Sequence, residues 1–176
     1  MNTILMILAS QRFRDIEYIV PRAFFEQWGY TVRTASSSRQ SVGRFGYKVQ
    51  NDLLIEDVVA DEFDGVYFVG GAGSTEYITN AAAQHLAENF LAQQKPIAAI
   101  CAAPRNFLHW GILKNKRATG HNGDHQFPVL AEKFGAIYVP DKNVVTDGNI
   151  LTANGPEASE ESALQFLQML NPGMKI

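Results

Sequence analysis

The chain has 176 residues, 46% of them hydrophobic and 19% charged, enough to bury one core without disulfides or metals. Fifteen basic against eighteen acidic side chains leave a net charge of −3 with no basic run, which argues against a nucleic-acid or anionic-membrane partner. Met1–Ala9 carries no Lys or Arg and is apolar over about seven residues, too short for a signal-peptide core or a bilayer span.

Short apolar runs alternate with helical patterns. Thr3–Ala9 reads as a buried strand. A helix is expected over Ile16–Trp28, with Ile16, Ile19, Val20, Ala23, Phe24 and Trp28 on one face and Gly29 as its stop. Pro21 falls inside that pattern, so a kink or restart is expected there. Tyr30–Ala35 reads as a second strand. Gly43 and Gly46 punctuate a hairpin between Ser41 and Gln50. Gly65–Val69 is a third buried strand, running into the Gly-rich loop Gly70–Ser74.

Asn80 can cap a helix over Ala81–Ala92, whose stripe is Ala83, Leu86, Ala87, Phe90 and Leu91. Pro96–Ile100 is the next strand, followed directly by Cys101, and Pro104 suits the first turn of another helix. Asp124 is expected to cap a helix ending near Phe134–Gly135. Asn143–Thr146 and Asn149–Ala153 flank Asp147–Gly148, a two-residue hairpin signal. A last helix spans Glu157–Leu170 after Asn154-Gly155-Pro156. No repeat or linker interrupts this order, so a single domain over residues 1–176 is expected. Strands alternating with helices imply an α/β fold with a mainly parallel sheet covered on both faces. In such sheets ligands bind outside the carboxyl ends of the strands, where the loop after Ala9, the Gly70–Gly73 loop and Cys101 all fall.

A lone cysteine is commonly a small buried filler. The position of Cys101, between a strand and a helix start, favours a functional role instead. Such a turn exposes a nucleophile, and a helix N-terminus directs N–H groups at the sulfur, which predicts a depressed thiol pKa. Glu17 lies shortly after the first strand and can reach the same crevice, although a Glu on an early helix turn often serves only the helix dipole. Of the histidines, His85 lies off its helix's apolar stripe and His109 points away from the thiol. His121, in a loop after a short strand, can fold back over the crevice, and His125 competes less well from inside the next helix. No pair has zinc-ligand spacing, so no metal is expected. Gly71-Ala72-Gly73 lacks the third glycine of a dinucleotide site, and no P-loop Lys follows. Its use is as a backbone surface, in which Gly71 N–H and the N–H groups after Cys101 can hold an oxyanion.

Phe63-Asp64-Gly65-Val66 with Gly70-Gly71, Ala99-Ile100-Cys101-Ala102-Ala103-Pro104, and Asp147 through Pro156 resemble the DJ-1/PfpI superfamily in order and spacing. So does Asp15-Ile16-Glu17 with Pro21. The resemblance covers essentially the whole chain. It implies a flavodoxin-like three-layer sandwich, with Cys101 at a strained elbow and Glu17 as the protonated carboxyl group that hydrogen-bonds the thiolate. It further implies Gly71 and Ala102 as backbone donors and His121 as the histidine near the cysteine. Members are commonly homodimers whose partner borders the pocket, and Arg44 is a candidate for that contribution. The protease-like members carry His directly after the cysteine. Here that residue is Ala102, which brings the chain closer to the DJ-1-like branch.

The leading expectation is a cofactor-free enzyme acting on small α-oxoaldehydes in a glyoxalase or deglycase manner, with Cys101, Glu17 and His121 as catalytic residues. The first alternative is a cysteine-based redox sensor or stress-response chaperone. The second is an intracellular cysteine peptidase or amidase. A glutamine amidotransferase would flank its cysteine with glycines, and Ser10-Gln11-Arg12-Phe13 makes a poor FMN phosphate loop. A cytoplasmic location is expected, because a lone thiol stays reduced there.

Overall fold

The computed structural model describes residues 2–174. In chain order the elements are β1 (Thr3–Ile7), β2 (Gln11–Phe13), α1 (Asp15–Gln27), β3 (Thr31–Ser36), β4 (Gln40–Gly43), β5 (Lys48–Gln50), β6 (Leu53–Leu54) and β7 (Gly65–Phe68). There follow α2 (Ala81–Ala92), β8 (Ile97–Ile100), α3 (Pro104–His109), β9 (Arg117–Ala118), α4 (Phe127–Phe134), β10 (Ile137–Tyr138), β11 (Val144–Asp147), β12 (Ile150–Ala153) and α5 (Ser159–Leu170). The ends of the expected 1–176 domain, residues 1, 175 and 176, lie outside the described residues. Among the described residues no helix is long and apolar enough to cross a membrane.

One seven-stranded sheet runs in the order β11-β12-β8-β7-β1-β3-β6, parallel throughout except for the β11–β12 hairpin. Its central parallel strands β3-β1-β7-β8-β12 follow the second-first-third-fourth-fifth arrangement of the flavodoxin-like fold. Because successive side chains on a strand point to opposite faces, each strand feeds two cores. Leu5, Ile7, Val66, Phe68, Ile97 and Ala99 pack with α2, α3 and α4 on one face. Ile4, Met6, Tyr67, Ala98 and Ile100 pack with α1 and α5 on the other. The rings of Phe25, Tyr67 and Phe166 meet at 5.6–5.8 Å between centroids and tie α1 and α5 to the sheet. The result is the three-layer α/β sandwich expected.

Several local expectations are corrected. Helix α1 does not restart at Pro21, which is buried within it. A proline here removes one i→i−4 donor, and the packing of Tyr18 and Phe25 on either side holds the helix together despite that loss. Asp124 does not cap α4, which starts three residues later; its side chain instead accepts the Gln126 N–H at 3.2 Å. His125 therefore lies in the preceding turn, at φ 56°, and not in a helix. The hairpin turn is Gly148-Asn149, one residue later than expected, because Asp147 pairs with Ile150 inside the ladder. The Gly-rich loop continues as a 3₁₀ helix over Ala72–Thr79. Gln11–Phe13 forms a strand in a small second sheet with the β4–β5 hairpin.

That small sheet is anchored to α1 by Asp15, only 7% exposed. Its carboxylate accepts the backbone N–H of Phe45 at 3.0 Å and of Tyr47 at 3.1 Å, so the hairpin tip is held beside the start of α1. Asp15→Ala leaves both N–H groups without that acceptor, and urea unfolding is expected to show a loss of about 2–3 kcal/mol, with a smaller loss for Asp15→Asn. A loss like that of an ordinary surface substitution, below about 0.5 kcal/mol, would remove this anchoring role.

Candidate functional site

The carboxyl ends of β1, β7, β8 and β12 converge on one cleft of about 580 Å³, a size that suits a small ligand. Cys101 and Ala102 form its floor after β8, Gly71 borders them after β7, and Asn154-Gly155 follows β12. Glu17, on the first turns of α1, reaches the same place from the end of β1. No single segment builds this cleft; the sheet order does.

Cys101 sits at φ 62°, a left-handed conformation that a non-glycine residue adopts at a cost of order 1–3 kcal/mol. Its backbone is tied on both sides. Its N–H donates to Ala153 O at 2.8 Å, and its carbonyl accepts the His121 N–H at 2.7 Å. The Ala103 N–H donates to Ile100 O at 3.1 Å, which closes the turn. Two glycines let the neighbouring loop approach. A Cβ at Gly70 would lie 2.4 Å from Glu17 Oε2 and 2.7 Å from Cys101 Cβ. Gly71 adopts φ 102°, and a Cβ there would lie 2.4 Å from Arg14 N.

Glu17 is fully buried, and burial pushes its carboxyl group up to about 7, against smaller opposing effects of the Cys101 thiol, the Arg14 guanidinium and the Gly70 N–H. The thiol and carboxyl thus act on each other, yet neither carboxyl oxygen meets a donor in the alignment of a full hydrogen bond. The depressed thiol pKa expected from the turn is not found. Burial, followed by the charge of the Glu17 carboxylate, pushes Cys101 up to about 12. The N–H groups of Gly71 and Ala102 do pull the other way, but α3 is only six residues long and its end cannot outweigh burial of the sulfur together with the adjacent carboxylate. Ionisation of the sulfur is therefore easier while Glu17 holds a proton, which removes the carboxylate's part of that shift.

His121 lines the cleft, whereas His125, His85 and His109 do not. Among the described residues the His121 imidazole makes no hydrogen bond to the thiol, so its link to Cys101 is through the backbone. Arg44 lines the cleft of its own chain. The residues missed from the sequence are charged. Arg105 makes an ion pair with Asp124 at 2.7 Å and donates to the His121 carbonyl at 3.2 Å, which fixes the His121 loop to α3. Arg14 and Glu157 complete the rim. Only the proximity of Arg14 to Glu17 was visible in the sequence; Arg105 and Asp124 are nineteen residues apart. Among the described residues no three His, Cys, Asp or Glu side chains cluster as a metal site requires.

A family model described as the DJ-1/PfpI family matches residues 2–169. An uncharacterised protein of Methanocaldococcus jannaschii is 36% identical over 169 residues, 95% of this chain and 82% of its own length. A deglycase of Pyrococcus abyssi is 31% identical over 166 residues, 94% of this chain and 98% of its own. Among solved structures, a ThiJ/PfpI domain protein of Brachyspira murdochii matches with a TM-score of 0.91 at 33% identity, over 98% of each chain.

The elevated Glu17 pKa has a consequence for stability. Between its unfolded value of 4.5 and its folded value of about 7 the folded chain holds a proton that the unfolded chain has released. The contribution of Glu17 to stability is thus complete below pH 4.5 and is lost as pH rises through 7, a difference of about 3 kcal/mol. Urea unfolding at pH 4.5 and pH 8 is expected to show Glu17→Gln gaining on the wild type by roughly that amount as pH rises. Parallel wild-type and variant pH profiles would show that the carboxyl group ionises normally.

Proposed function

The chain belongs to the DJ-1/PfpI family, and from that premise we propose a cofactor-free enzyme in which Cys101 captures small α-oxoaldehydes and converts them to 2-hydroxy acids. The observation that carries this is the pairing of a buried carboxyl group, raised to about 7, with a thiol at the floor of a small-ligand cleft. The naming of the Pyrococcus abyssi relative as a deglycase agrees with a carbonyl substrate.

In the reactive form Glu17 is protonated and Cys101 is a thiolate, steadied by the N–H groups of Gly71 and Ala102. The sulfur adds to the aldehyde carbon as the Glu17 proton passes to the carbonyl oxygen, giving a hemithioacetal. The Glu17 carboxylate then removes the hydrogen from that carbon and returns it to the adjacent ketone carbon through an enediol. The first carbon is thereby oxidised to a thioester and the second reduced to an alcohol. Water cleaves the thioester, releasing the 2-hydroxy acid and restoring the thiol. Covalent capture divides one difficult internal redox step into easier ones, and the backbone donors stabilise oxyanions along the way. The His121 imidazole, on the same cleft, is assigned to the hydrolytic proton transfer.

Incubation with methylglyoxal and no glutathione is expected to yield lactate. Cys101→Ala should lower this to background, and Glu17→Gln should lower kcat by about a hundredfold or more. Lactate formation by Cys101→Ala at the wild-type rate would refute the proposal.

The second reading is a redox sensor, favoured by the same donors, which would hold a sulfinate as well as an oxyanion. Mild peroxide followed by mass spectrometry separates the two, since a sensor gains two oxygens at Cys101 before any methionine changes. A peptidase reading stands behind both, because Ala102 provides no imidazole next to the thiol. We further propose that the protein works in the cytoplasm as a homodimer. Ile16 and Ile19 on α1 and Phe45 and Tyr47 on the hairpin are large apolar side chains between 41% and 72% exposed. Ile16→Glu with Ile19→Glu is expected to shift sedimentation from dimer to monomer; a wild-type monomer would exclude this assembly.

A further inference from the structure

The cleft carries charges that the proposed chemistry does not use. The Arg14 and Arg44 guanidinium carbons lie 5.2 and 5.6 Å from the centroid of the same ring, that of Phe45. Each is thereby oriented by a cation–π contact, which aligns a guanidinium group but does not neutralise it. Among the described residues neither meets a carboxylate within 4.0 Å, whereas Arg105, on the same cleft, is paired with Asp124. The remaining acid on the rim, Glu157, belongs to the segment after β12, and Glu17 below, pushed up to about 7, is about half protonated at neutral pH. Two like charges held against one ring repel each other and are stabilised by an anion placed between them.

Their location orients that anion. Arg14 N–H donates to Gly70 O at 2.9 Å, which places its backbone beside the loop that borders Cys101. Arg44 N–H donates to Phe13 O at 2.8 Å, holding the hairpin over the same side. Arg14 and Arg44 line the same cleft as Cys101, so a ligand with its carbonyl at Sγ shares that cavity with both side chains. Guanidinium forks suit the paired oxygens of phosphate or carboxylate.

We propose that the cleft selects α-oxoaldehydes bearing an anionic group, a phosphate or carboxylate, at the end remote from the aldehyde, with Arg14 and Arg44 as the residues that recognise it. This rests on the preceding proposal for the placement of the carbonyl at Cys101, but anion recognition can be read without turnover.

The test is calorimetric binding of three unreactive 2-hydroxy acids that differ only at the far end: 3-phosphoglycerate, malate and glycerate. The wild type is expected to bind 3-phosphoglycerate or malate at least about tenfold more tightly than glycerate, and which of the two binds tighter identifies the anion. Arg44→Gln, an exposed position, should abolish that preference, and Arg14→Gln should do the same. Arg117→Gln, on β9 and outside the cleft, should leave it intact. Equal affinity for all three ligands, or a preference that survives Arg44→Gln, overturns the proposal. If the preference holds while neither methylglyoxal nor a phosphate-bearing α-oxoaldehyde is converted, anion recognition stands and the α-oxoaldehyde chemistry falls.

Discussion

A carboxyl group with no solvent contact lies beside a thiol with almost none, and the cleft's chemistry follows from that juxtaposition. Two negative charges cannot be held so close together in a buried place at neutral pH, so Glu17 and Cys101 between them keep a proton. If it resides on sulfur, the site is inert. If it resides on the Glu17 carboxyl group, the sulfur is a nucleophile with a proton donor already in place. Burial of Glu17 and the N–H groups of Gly71 and Ala102 favour the second arrangement, and burial of the thiol opposes it.

The rest of the structure makes that juxtaposition possible. Gly70 has no side chain because Glu17 and Cys101 occupy the space where one would sit. Cys101 tolerates an unfavourable backbone conformation because Ala153 on one side and His121 on the other hold its N–H and carbonyl. Those partners come from the end of β12 and from the loop that Arg105 and Asp124 clamp down. Backbone strain persists only when its surroundings over-determine it, and here β12, the His121 loop and α3 all contribute.

Elements defined by their own residues were legible in advance. The buried strands, the hairpin and α2 with its Asn80 cap, which accepts the Ala83 N–H at 3.0 Å, depend on periodicity and on contacts three residues apart. The expectations that failed depended on competition between local and distant partners. Asp124 had the composition of a helix cap but is engaged by Arg105. Pro21 had the composition of a helix break but is carried through by flanking aromatic packing. The local helix end favours a lowered thiol pKa, and the tertiary structure reverses the sign by burying the sulfur and bringing a carboxylate beside it.

From sequence alone came the α/β class, the order of strands and helices, and the identity of Cys101, Glu17, Gly71, Ala102 and His121 as candidates. These rest on spacing along the chain and on a resemblance spread over its length. Only the tertiary structure decided the sign of the thiol's shift, the absence of an imidazole–thiol hydrogen bond, and the cationic side of the cleft formed by Arg14 and Arg44. Desolvation and charge pairing depend on which side chains meet after the sheet has ordered its strands, and that meeting is set by β3-β1-β7-β8-β12 adjacency, not by distance along the chain.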